Sequence, residues 1–371
     1  MRGRVLITGG AGFIGSHLAD ALLERGHAVR ALDSLTEQVH GPARARPDYL
    51  SPEVELQVGD VRDADAVARA LEGVEAVFHL AAAVGVGQSM YEVAHYTSVN
   101  GVGTAVLMEA LARRPVQRFV VASSMSLYGE GMYRRPGHSR VEVTERSAAQ
   151  LAARRWEPDD GSGERLEPVP TPEEKRPSLA SVYALTKYDQ ERLCLVLGQA
   201  YQVPTVALRF FNVYGPRQAL GNPYTGVLAI FASRYLNGRP PLVNEDGRQR
   251  RDFVHVQDVV RACVAALDAR EAPGGAYNVG SGRSHTVLEV AEKLARAMDV
   301  DVAPEVTGRY RVGDIRHCFA DIARARQVLG YEPGVSFEEG LAALAGWLEG
   351  QLAEDRVVEA AQELASRGLA V

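Results

Sequence analysis

A tyrosine and a lysine stand four residues apart, at Tyr183 and Lys187. On a helix this spacing places both side chains on one face. A phenol with an ordinary pKa of about 10 is a poor base at neutral pH, but an adjacent ammonium stabilises its phenolate. Tyr183 could therefore act as a general acid and base, with Lys187 lowering its pKa. The same spacing occurs by chance in structural helices, so its chemical meaning depends on the surrounding residues.

Two hydroxyl side chains, Ser124 and Ser126, follow a strand that is predicted over 119–123. In open α/β sheets, ligands bind at the carboxyl ends of the strands. We therefore predict that Ser124 holds a substrate oxygen that Tyr183 also reaches, with Ser126 beside it. The alternative is that Ser124 only forms a turn.

Three glycines at intervals of three residues, Gly9, Gly12 and Gly15, connect the first predicted strand to the first predicted helix. Without side chains, the backbone can turn tightly and a pyrophosphate can approach the helix N-terminus. Phe13 and Ile14 lie between the last two glycines and are expected to contact the same ligand. This arrangement predicts a dinucleotide site.

Asp33 ends the second predicted strand about 20 residues later, where a carboxylate can bind the ribose hydroxyls of the adenosine. Its charge would repel a 2′-phosphate, so the sequence predicts NAD rather than NADP. The positive nicotinamide would further favour the phenolate of Tyr183. Asp60 and Val61, after the third strand, are predicted near the adenine. Alternatively, Asp60 caps a helix that starts near Asp63.

Short β-branched runs alternate with helical patterns in the first half of the chain, which is typical of parallel strands joined by crossover helices. Handedness rules then predict an α/β fold with a doubly wound parallel sheet of the Rossmann type. The predicted strands are 4–8, 28–33, 54–58, 76–80, 119–123 and 205–210. The predicted helices are 16–25, 64–71, 102–112 and 183–201.

The prediction divides the chain into three parts: a dinucleotide-binding domain over 1–214, a smaller C-terminal α/β substrate lobe over 215–350 and a helical tail over 351–371. Strands near 252–256 and 276–279 and helices at 287–298 and 321–329 are assigned to the lobe. Between about 130 and 179 the regular pattern gives way to a stretch rich in proline, arginine and glutamate. This insert is either a lid or a solvated excursion.

Composition excludes several classes of protein. The net charge of −6 is spread along the chain, so no basic face for nucleic acid or anionic membrane is expected. No apolar run approaches the length of a membrane span. Cys194, Cys263 and Cys318 lie far apart, which argues against a thiolate metal site and favours a reducing, cytoplasmic environment. We predict that all three are small core residues and that no metal is bound.

Taken together, these motifs resemble the extended short-chain dehydrogenase/reductases that act on nucleotide sugars. The matching segments, within roughly 4–348, are GGAGFIGSHL, Asp33, HLAA at 79–82, SSMSLYG, YALTK and RFFNVYGPR. The resemblance implies that Tyr183 is the acid and base, that Lys187 binds the nicotinamide ribose and that Ser124 completes the triad. It also implies NAD contacts from Leu80, Ala81 and Ala82.

The resemblance extends to the substrate side. It implies that Asn212 binds a phosphate or sugar oxygen, and that Arg251 and Arg311 clamp the diphosphate. Paired guanidinium groups suit a diphosphate because each can donate two parallel hydrogen bonds. The family commonly forms homodimers through the helices that correspond to 102–112 and 183–201.

Members share an opening oxidation at C4 of the sugar, which leaves a 4-keto sugar. The related 4,6-dehydratases carry an Asp-Glu pair where this chain has Met125 and Ser126, so epimerisation at C4 is favoured. A UDP-glucuronate decarboxylase is a further alternative, although 83–89 is more similar to the 4-epimerases. A non-catalytic NAD-binding scaffold is disfavoured by the intact Tyr183 and Lys187.

Two departures leave the sugar open. Many UDP-galactose 4-epimerases have a lysine at the position of Val84, and they lack the insert. The expected substrate is therefore a UDP-hexose or a dTDP-6-deoxyhexose of the rhamnose type.

Overall fold

The computed structural model describes residues 3–135, 137, 140–143, 145–224, 226–311, 313–351, 353 and 355–370 of the 371-residue chain. Met1 and Val371, the outer bounds of the predicted domains, lie outside the described residues. So does Val312, within the motif that begins at Arg311, as do a few positions of the 130–179 insert.

The described elements alternate between strands and helices along most of the chain. The strands are β1 Arg4–Thr8, β2 Ala28–Asp33, β3 Glu55–Val58, β4 Val74–His79, β5 Arg118–Ser124, β6 Met132–Arg134, β7 Arg140–Glu142, β8 Glu167–Val169, β9 Thr205–Phe210, β10 Asn212–Tyr214, β11 Leu242–Val243, β12 Arg250–Arg251, β13 Phe253–His255, β14 Ala276–Val279, β15 His285–Thr286, β16 Glu305–Val306 and β17 His317–Cys318. The helices are α1 Phe13–Glu24, α2 Glu37–His40, α3 Ala64–Ala70, α4 Val86–Ser89, α5 Val93–Tyr96, α6 Gly103–Arg113, α7 Ala148–Ala152, α8 Val182–Ala200, α9 Val227–Leu236, α10 Val256–Asp268, α11 Val287–Ala297, α12 Ala323–Leu329, α13 Phe337–Leu348 and α14 Val357–Ser366, with a π-helix at Thr97–Val102 and a 3₁₀ helix at Met125–Tyr128.

A seven-stranded parallel sheet forms the centre of the molecule, in the order β3-β2-β1-β4-β5-β9-β14. Strands β2 and β3 are added on one side of β1, and β4 and the later strands are added on the other side. Such a switch point, here between β1 and β4, opens a crevice at the carboxyl ends of the strands. All residues of β5 are buried, as expected for a strand covered by helices on both faces. The predicted doubly wound Rossmann fold is confirmed.

Helices cover both faces of this sheet. On one face, Leu18 of α1 and Cys263 of α10 belong to the same apolar core. On the other face, Leu107 of α6 packs in a second core with Cys194 of α8. Cys318 is also buried, and all three cysteines are free thiols. The prediction that the cysteines are small core residues is confirmed.

Every predicted strand of the first half is present, with bounds that differ by at most two residues. The predicted helix 183–201 is α8, which begins at Val182 because the Ser181 hydroxyl caps it by accepting a hydrogen bond from the Ala184 amide at 3.1 Å. The helix predicted at 16–25 is α1, which begins earlier, at Phe13. The N-terminus of α1 therefore lies inside the glycine motif.

One strand departs from the predicted division of the chain. The sequence prediction assigns 276–279 to the C-terminal lobe, whereas β14 pairs with β9 as the edge strand of the central sheet. A strand's own residues show that it is extended but do not identify its neighbour, because pairing is decided by the tertiary fold. The chain therefore returns to the central sheet after residue 214.

The C-terminal lobe has its own apolar core, in which α9, α11 and α13 contribute Phe231, Leu294 and Leu344. Three small sheets surround this core, with the orders β10-β13, β11-β16 and β15-β12-β17. β10 follows directly on the carboxyl end of β9 and pairs with β13 of the lobe. The lobe therefore stands beside the edge of the central sheet at which the crevice opens.

The insert over 130–179 is folded rather than extended into solvent. Its strands form an antiparallel sheet in the order β7-β6-β8. This sheet is fastened to the C-terminal chain: the Gly131 amide donates to the His317 carbonyl at 2.7 Å, and the Thr171 amide donates to the Phe319 carbonyl at 2.8 Å. Nearby, the fully buried Arg316 forms ion pairs that include Glu157 of the insert.

The tail after α13 folds back across the molecule. Asp355, whose side chain is buried, pairs with Arg234 of α9 at 3.1 Å. In α14 the Leu364 side chain packs against Gly87, and the Arg367 guanidinium lies over the Tyr91 ring, 4.4 Å from its centroid. Within the described part of the chain, no helix has both the length and the apolarity to cross a membrane.

Candidate active site

A cleft of about 540 Å³ opens at the carboxyl ends of the central strands. This volume suits a small-molecule ligand. Most of the residues that the sequence predicts for the site line this cleft. They are Gly9, Gly12, Phe13, Ile14, Gly15, Asp33, Asp60, Val61, Leu80, Ala81, Ala82, Ser124, Ser126, Tyr183, Lys187 and Asn212.

The glycine turn forms one end of the cleft. Gly9 has a φ of +70°, and a side-chain carbon there would lie 2.9 Å from the Ala81 amide nitrogen. A side-chain carbon at Gly15 would lie 2.3 Å from the carbonyl oxygen of Gly9. The turn therefore tolerates no side chain at either position, and it exposes backbone amides at the N-terminus of α1. Such a surface fits the pyrophosphate of a dinucleotide.

Asp33 connects this turn to the end of β2. Its carboxylate accepts hydrogen bonds from the amides of Ala11 and Leu35, each at 3.0 Å. The His40 Nε2 lies 3.6 Å from the same carboxylate, and the His40 side chain is only 3% exposed. Both Asp33 and His40 line the cleft. The sequence prediction missed His40, because no local pattern shows that a histidine seven residues after Asp33 folds back onto its carboxylate.

Asp60 lies at the same end of the cleft. Its carboxylate accepts hydrogen bonds from the Arg62 guanidinium at 2.9 Å and 2.6 Å. This ion pair lowers the pKa of Asp60. The cap of α3 is instead Asp63, whose carboxylate accepts from the amides of Asp65 and Ala66. The alternative interpretation of Asp60 as a helix cap is wrong.

Tyr183 and Lys187 lie one turn apart at the start of α8, and Ser124 lies opposite them at the end of β5. Burial raises the pKa of the Tyr183 phenol above 10, and a hydrogen bond with the Ser124 side chain acts in the opposite direction. The Ser126 hydroxyl donates to the Ser124 hydroxyl at 2.9 Å. Both serines are buried. The three predicted triad residues are therefore next to each other.

One backbone carbonyl and one side-chain carbonyl accept hydrogen bonds from the Lys187 ammonium. It donates to the Ala122 carbonyl at 2.7 Å and to the Gln190 side-chain oxygen. Burial lowers the pKa of Lys187 to about 8. The lowering of the Tyr183 pKa expected from Lys187 alone is not found in the protein, because burial of the phenol dominates.

A buried polar cluster behind Lys187 was not predicted from the sequence. The His79 ring contacts Thr8 through Nδ1 at 2.7 Å, and contacts Thr104 and Gln190 through Nε2, each at 2.9 Å. His79, Thr104 and Gln190 are all fully buried. Because these residues come from separate elements, no spacing in the sequence could have connected them.

The aromatic wall beside Tyr183 was also missed. The Tyr96 ring packs edge-on against the Tyr183 ring, with centroids 6.5 Å apart. The Tyr96 hydroxyl donates to the Gln88 side chain at 3.2 Å, and Gln88 in turn exchanges hydrogen bonds with Gln38. All four side chains border the cleft. These hydrogen bonds hold the Tyr96 ring in place beside Tyr183.

The structure does not bring the two predicted arginines to the cleft wall. Arg251 donates to the backbone carbonyls of Arg316 and Ile315, and its guanidinium lies 3.7 Å from the Asp314 carboxylate. Arg311 is exposed and forms an isolated bridge to Ala370 of the tail. Neither belongs to the described residues that line the cleft.

Asn212 does border the cleft, but its side-chain nitrogen is already engaged. The Asn212 Nδ2 donates to the Asp252 backbone carbonyl at 2.9 Å. The side-chain oxygen of Asn212 is thus held in a defined direction. The predicted contact with a phosphate or sugar oxygen would use the remaining N–H of this amide.

Comparison with known proteins places these features in context. A family model described as the NAD dependent epimerase/dehydratase family matches residues 5–151 and 161–280. A dTDP-L-rhamnose 4-epimerase of Burkholderia thailandensis is 35% identical over 358 residues, which cover 94% of this chain and 96% of that protein. A UDP-N-acetyl-alpha-D-glucosaminuronate decarboxylase of Bacillus cytotoxicus is 31% identical over 353 residues, with 94% and 98% covered.

The fold has close structural counterparts as well. A crystal structure of a UDP-glucose 4-epimerase from Thermotoga maritima with UDP-glucose superimposes with a TM-score of 0.77 at 31% identity. The match covers 94% of this chain and 99% of that chain.

Proposed function

The chain belongs to the NAD dependent epimerase/dehydratase family, and on this premise we propose how its own residues perform the family's chemistry. The protein is an NAD-dependent isomerase that epimerises a nucleotide-diphosphate sugar at C4 through a 4-keto intermediate. The observation that carries the residue assignment is the juxtaposition of Tyr183, Ser124 and Lys187 in one cleft with the glycine turn.

The glycine turn, Asp33 and the wall formed by 80–82 would hold the cofactor, with Lys187 at its nicotinamide ribose. The fit of NAD to this site is supported by the turn at Gly9 and Gly15, where the backbone leaves no room for a side chain. Bound NAD supplies a hydride acceptor and donor at C4 of the sugar, together with a positive charge near the phenol. That charge opposes the effect of burial on Tyr183.

We assign proton transfer at the sugar O4 to Tyr183. As the C4 hydride leaves, the phenolate takes the O4 proton, and it returns this proton when the hydride is delivered to the opposite face. Ser124 is placed to hydrogen-bond the same oxygen, because its side chain is bonded to Tyr183. The ammonium of Lys187 favours the charged phenolate before it takes the O4 proton.

Dehydration of a 4-keto sugar requires groups that this cleft lacks. Dehydration across C5 and C6 needs an acid and a base near those carbons. Met125 and Ser126 stand where the related 4,6-dehydratases carry an Asp-Glu pair. Asp33 and Asp60 are the only carboxylates among the described residues that line the cleft, and both lie at its dinucleotide end. Rotation of the keto sugar and return of the hydride require no further acid.

For the sugar itself, we propose a dTDP-6-deoxyhexose of the rhamnose type, with a UDP-hexose as the alternative. The cleft wall presents Val84, Ala83 and Met125 on the substrate side, and Val84 stands where many UDP-galactose 4-epimerases have a lysine. An apolar wall suits a methyl group at C6 better than a hydroxymethyl group. The similarity to a dTDP-L-rhamnose 4-epimerase supports the same choice.

Incubation of the purified protein with dTDP-rhamnose, UDP-glucose, UDP-galactose and UDP-glucuronate, followed by proton NMR, tests this assignment. We expect a C4 epimer from the dTDP sugar at the highest kcat/KM. Epimerisation of only the UDP-hexoses would reject the choice of sugar. Loss of water or release of carbon dioxide from any nucleotide sugar, without a C4 epimer, would reject the 4-epimerase assignment.

The cofactor and the substrate are assigned to different parts of the fold. We propose that the central sheet binds NAD, and that the lobe over 215–350, apart from the segment that returns to the sheet, binds the nucleotide sugar. The displaced Arg251 and Arg311 would have to reorient to clamp a diphosphate. An R251A variant should therefore raise the KM for the nucleotide sugar while NAD stays bound.

We further propose a homodimer in the cytoplasm. Val102, at the end of the π-helix before α6, and Leu185 and Val196, both on α8, are each about half exposed. Apolar side chains grouped on one helix pair favour a packed interface with a second copy. Sedimentation of the wild type and of V196D distinguishes the states: we expect a dimer for the wild type and a monomer for the variant.

A further inference from the structure

Gln190 lies one helical turn after Lys187 and is fully buried. Its side-chain oxygen accepts a hydrogen bond from the Lys187 ammonium. Its side-chain nitrogen donates to Thr104 Oγ1 at 2.8 Å and lies 2.9 Å from His79 Nε2. Gln190 therefore connects the ammonium to a polar cluster on β4 and α6 that does not touch the cleft.

The surroundings permit only one orientation of this amide. Burial lowers the pKa of His79 to about 3, so the ring is neutral and one of its nitrogens must accept. The Thr104 hydroxyl already donates to the Asn100 carbonyl at 2.6 Å, which leaves it free to accept. Turning the amide round would bring its NH₂ group against the ammonium. The oxygen of Gln190 is thus held towards Lys187.

We propose that Gln190 is a positioning residue for the epimerase reaction, which holds the Lys187 ammonium at the cleft and keeps it charged. The inference rests on the proposed function. Two carbonyls, of Ala122 and Gln190, accept two of the three ammonium N–H groups. One N–H group is left for a ligand in the cleft, which Lys187 lines.

Few other charged groups lie close enough to stabilise the Lys187 ammonium. On α8 itself, the charged group that acts on Lys187 is Glu191, whereas burial raises the pKa of the Cys194 thiol and keeps it neutral. Tyr183 lies one turn before Lys187. Glu191 is already paired with Arg209. From β4, the facing group is the neutral His79. The carbonyl of Gln190 is therefore the acceptor whose removal most directly affects the ammonium.

The test compares Gln190→Met with Gln190→Glu. Methionine is similar in size but offers no comparable acceptor, so the Lys187 ammonium becomes less stable and its pKa falls. A carboxylate restores the acceptor and raises the pKa of Lys187. Gln199→Met is the matched control, since Gln199 is exposed near the end of the same helix.

The pKa of Lys187 can be read without any activity. The chain has only three lysines, Lys175, Lys187 and Lys293, so carbon-13 labelling of lysine yields three side-chain signals to follow against pH. We expect the Lys187 signal to titrate at lower pH in Gln190→Met and at higher pH in Gln190→Glu. Identical titrations in both variants and the wild type would overturn the proposal, even if the enzyme acted on no sugar tested.

Turnover gives the second measurement. We expect Gln190→Met to lower kcat on the order of 100-fold, with KM nearly unchanged, because the ammonium is misplaced rather than the sugar site. Gln190→Glu should recover most of kcat, and Gln199→Met should match the wild type. If Gln190→Met retained full kcat, the residue would serve only packing.

Discussion

The Arg209 guanidinium of β9 donates two hydrogen bonds to the Glu191 carboxylate of α8, at 2.9 Å and 2.7 Å. Both side chains are buried. The same carboxylate accepts a hydrogen bond from Ser123 of β5 at 2.6 Å. This pair therefore fastens the helix that carries Tyr183 and Lys187 to the two strands beside it.

Breaking this pair should destabilise the fold. Glu191→Gln leaves the Arg209 guanidinium without a buried counter-charge, which costs about 3–5 kcal/mol. Urea denaturation followed by circular dichroism measures the change in the free energy of unfolding. Glu292→Gln, at an exposed position of α11, is the matched control and should change it by less than about 0.5 kcal/mol. Equal stabilities of the two variants would contradict the structural role.

Removing the phenol oxygen should stop the reaction without emptying the cofactor site. We expect Tyr183→Phe to lower kcat by about 10²–10⁴-fold or more, because the variant has no group to exchange the O4 proton. Absorbance and mass spectrometry of the purified variant should still find NAD. Tyr188→Phe lies on the same helix but outside the cleft, and it should retain activity. A Tyr183→Phe enzyme with full turnover would reject Tyr183 as the base.

Activity should fall in alkaline solution as Lys187 loses its proton. Burial lowers the pKa of Lys187 to about 8, so the ammonium is present below that pH and is lost as the pH rises through it. The profile of kcat/KM should therefore decline above about pH 8. Lys187→Arg keeps a positive charge at all these pH values, so any residual activity of this variant should lack the decline. A wild-type profile that stays flat to pH 10 would contradict the assignment.

The glycine turn should tolerate no methyl group at Gly15. A side-chain carbon there would lie 2.3 Å from the Gly9 carbonyl oxygen, so Gly15→Ala must shift the backbone that is proposed to hold NAD. We expect loss of bound NAD and a destabilisation of about 1–3 kcal/mol. Calorimetry with added NAD measures both effects.

Gly346→Ala is the control for this substitution. Gly346 lies in α13, and a side-chain carbon there meets no atom within 4 Å. An alanine should stabilise this helix by about 0.5–1 kcal/mol and leave NAD binding unchanged. If both variants bound NAD like the wild type, the turn would not be the pyrophosphate site.

Much of the proposed NAD site could be predicted from the sequence because its signals are local. The glycines, Asp33 and the Tyr183–Lys187 pair depend on spacing within one strand, turn or helix, and α/β handedness brings those elements to the same edge of the sheet. The structure places all of these residues along one cleft.

Other contacts depended on the tertiary structure alone. The sequence shows that 276–279 is extended, but only pairing with β9 places it in the central sheet. Arg251 carries the right charge for a diphosphate, yet the carbonyls packed around it decide where its guanidinium lies. His79 and Gln190 are 111 residues apart, and no pattern connects them.

The physical reason for this difference is the distance along the sequence between the residues that determine each interaction. Backbone conformation and helix capping follow from a few neighbouring residues, so the sequence alone determined the strands, the glycine turn and the pairing of phenol with ammonium. Side-chain partners across elements depend on which faces become buried together, and this is settled only when the whole chain packs. The contact of the Gln190 side chain with Lys187 and the docking of the insert were therefore decided by the tertiary structure.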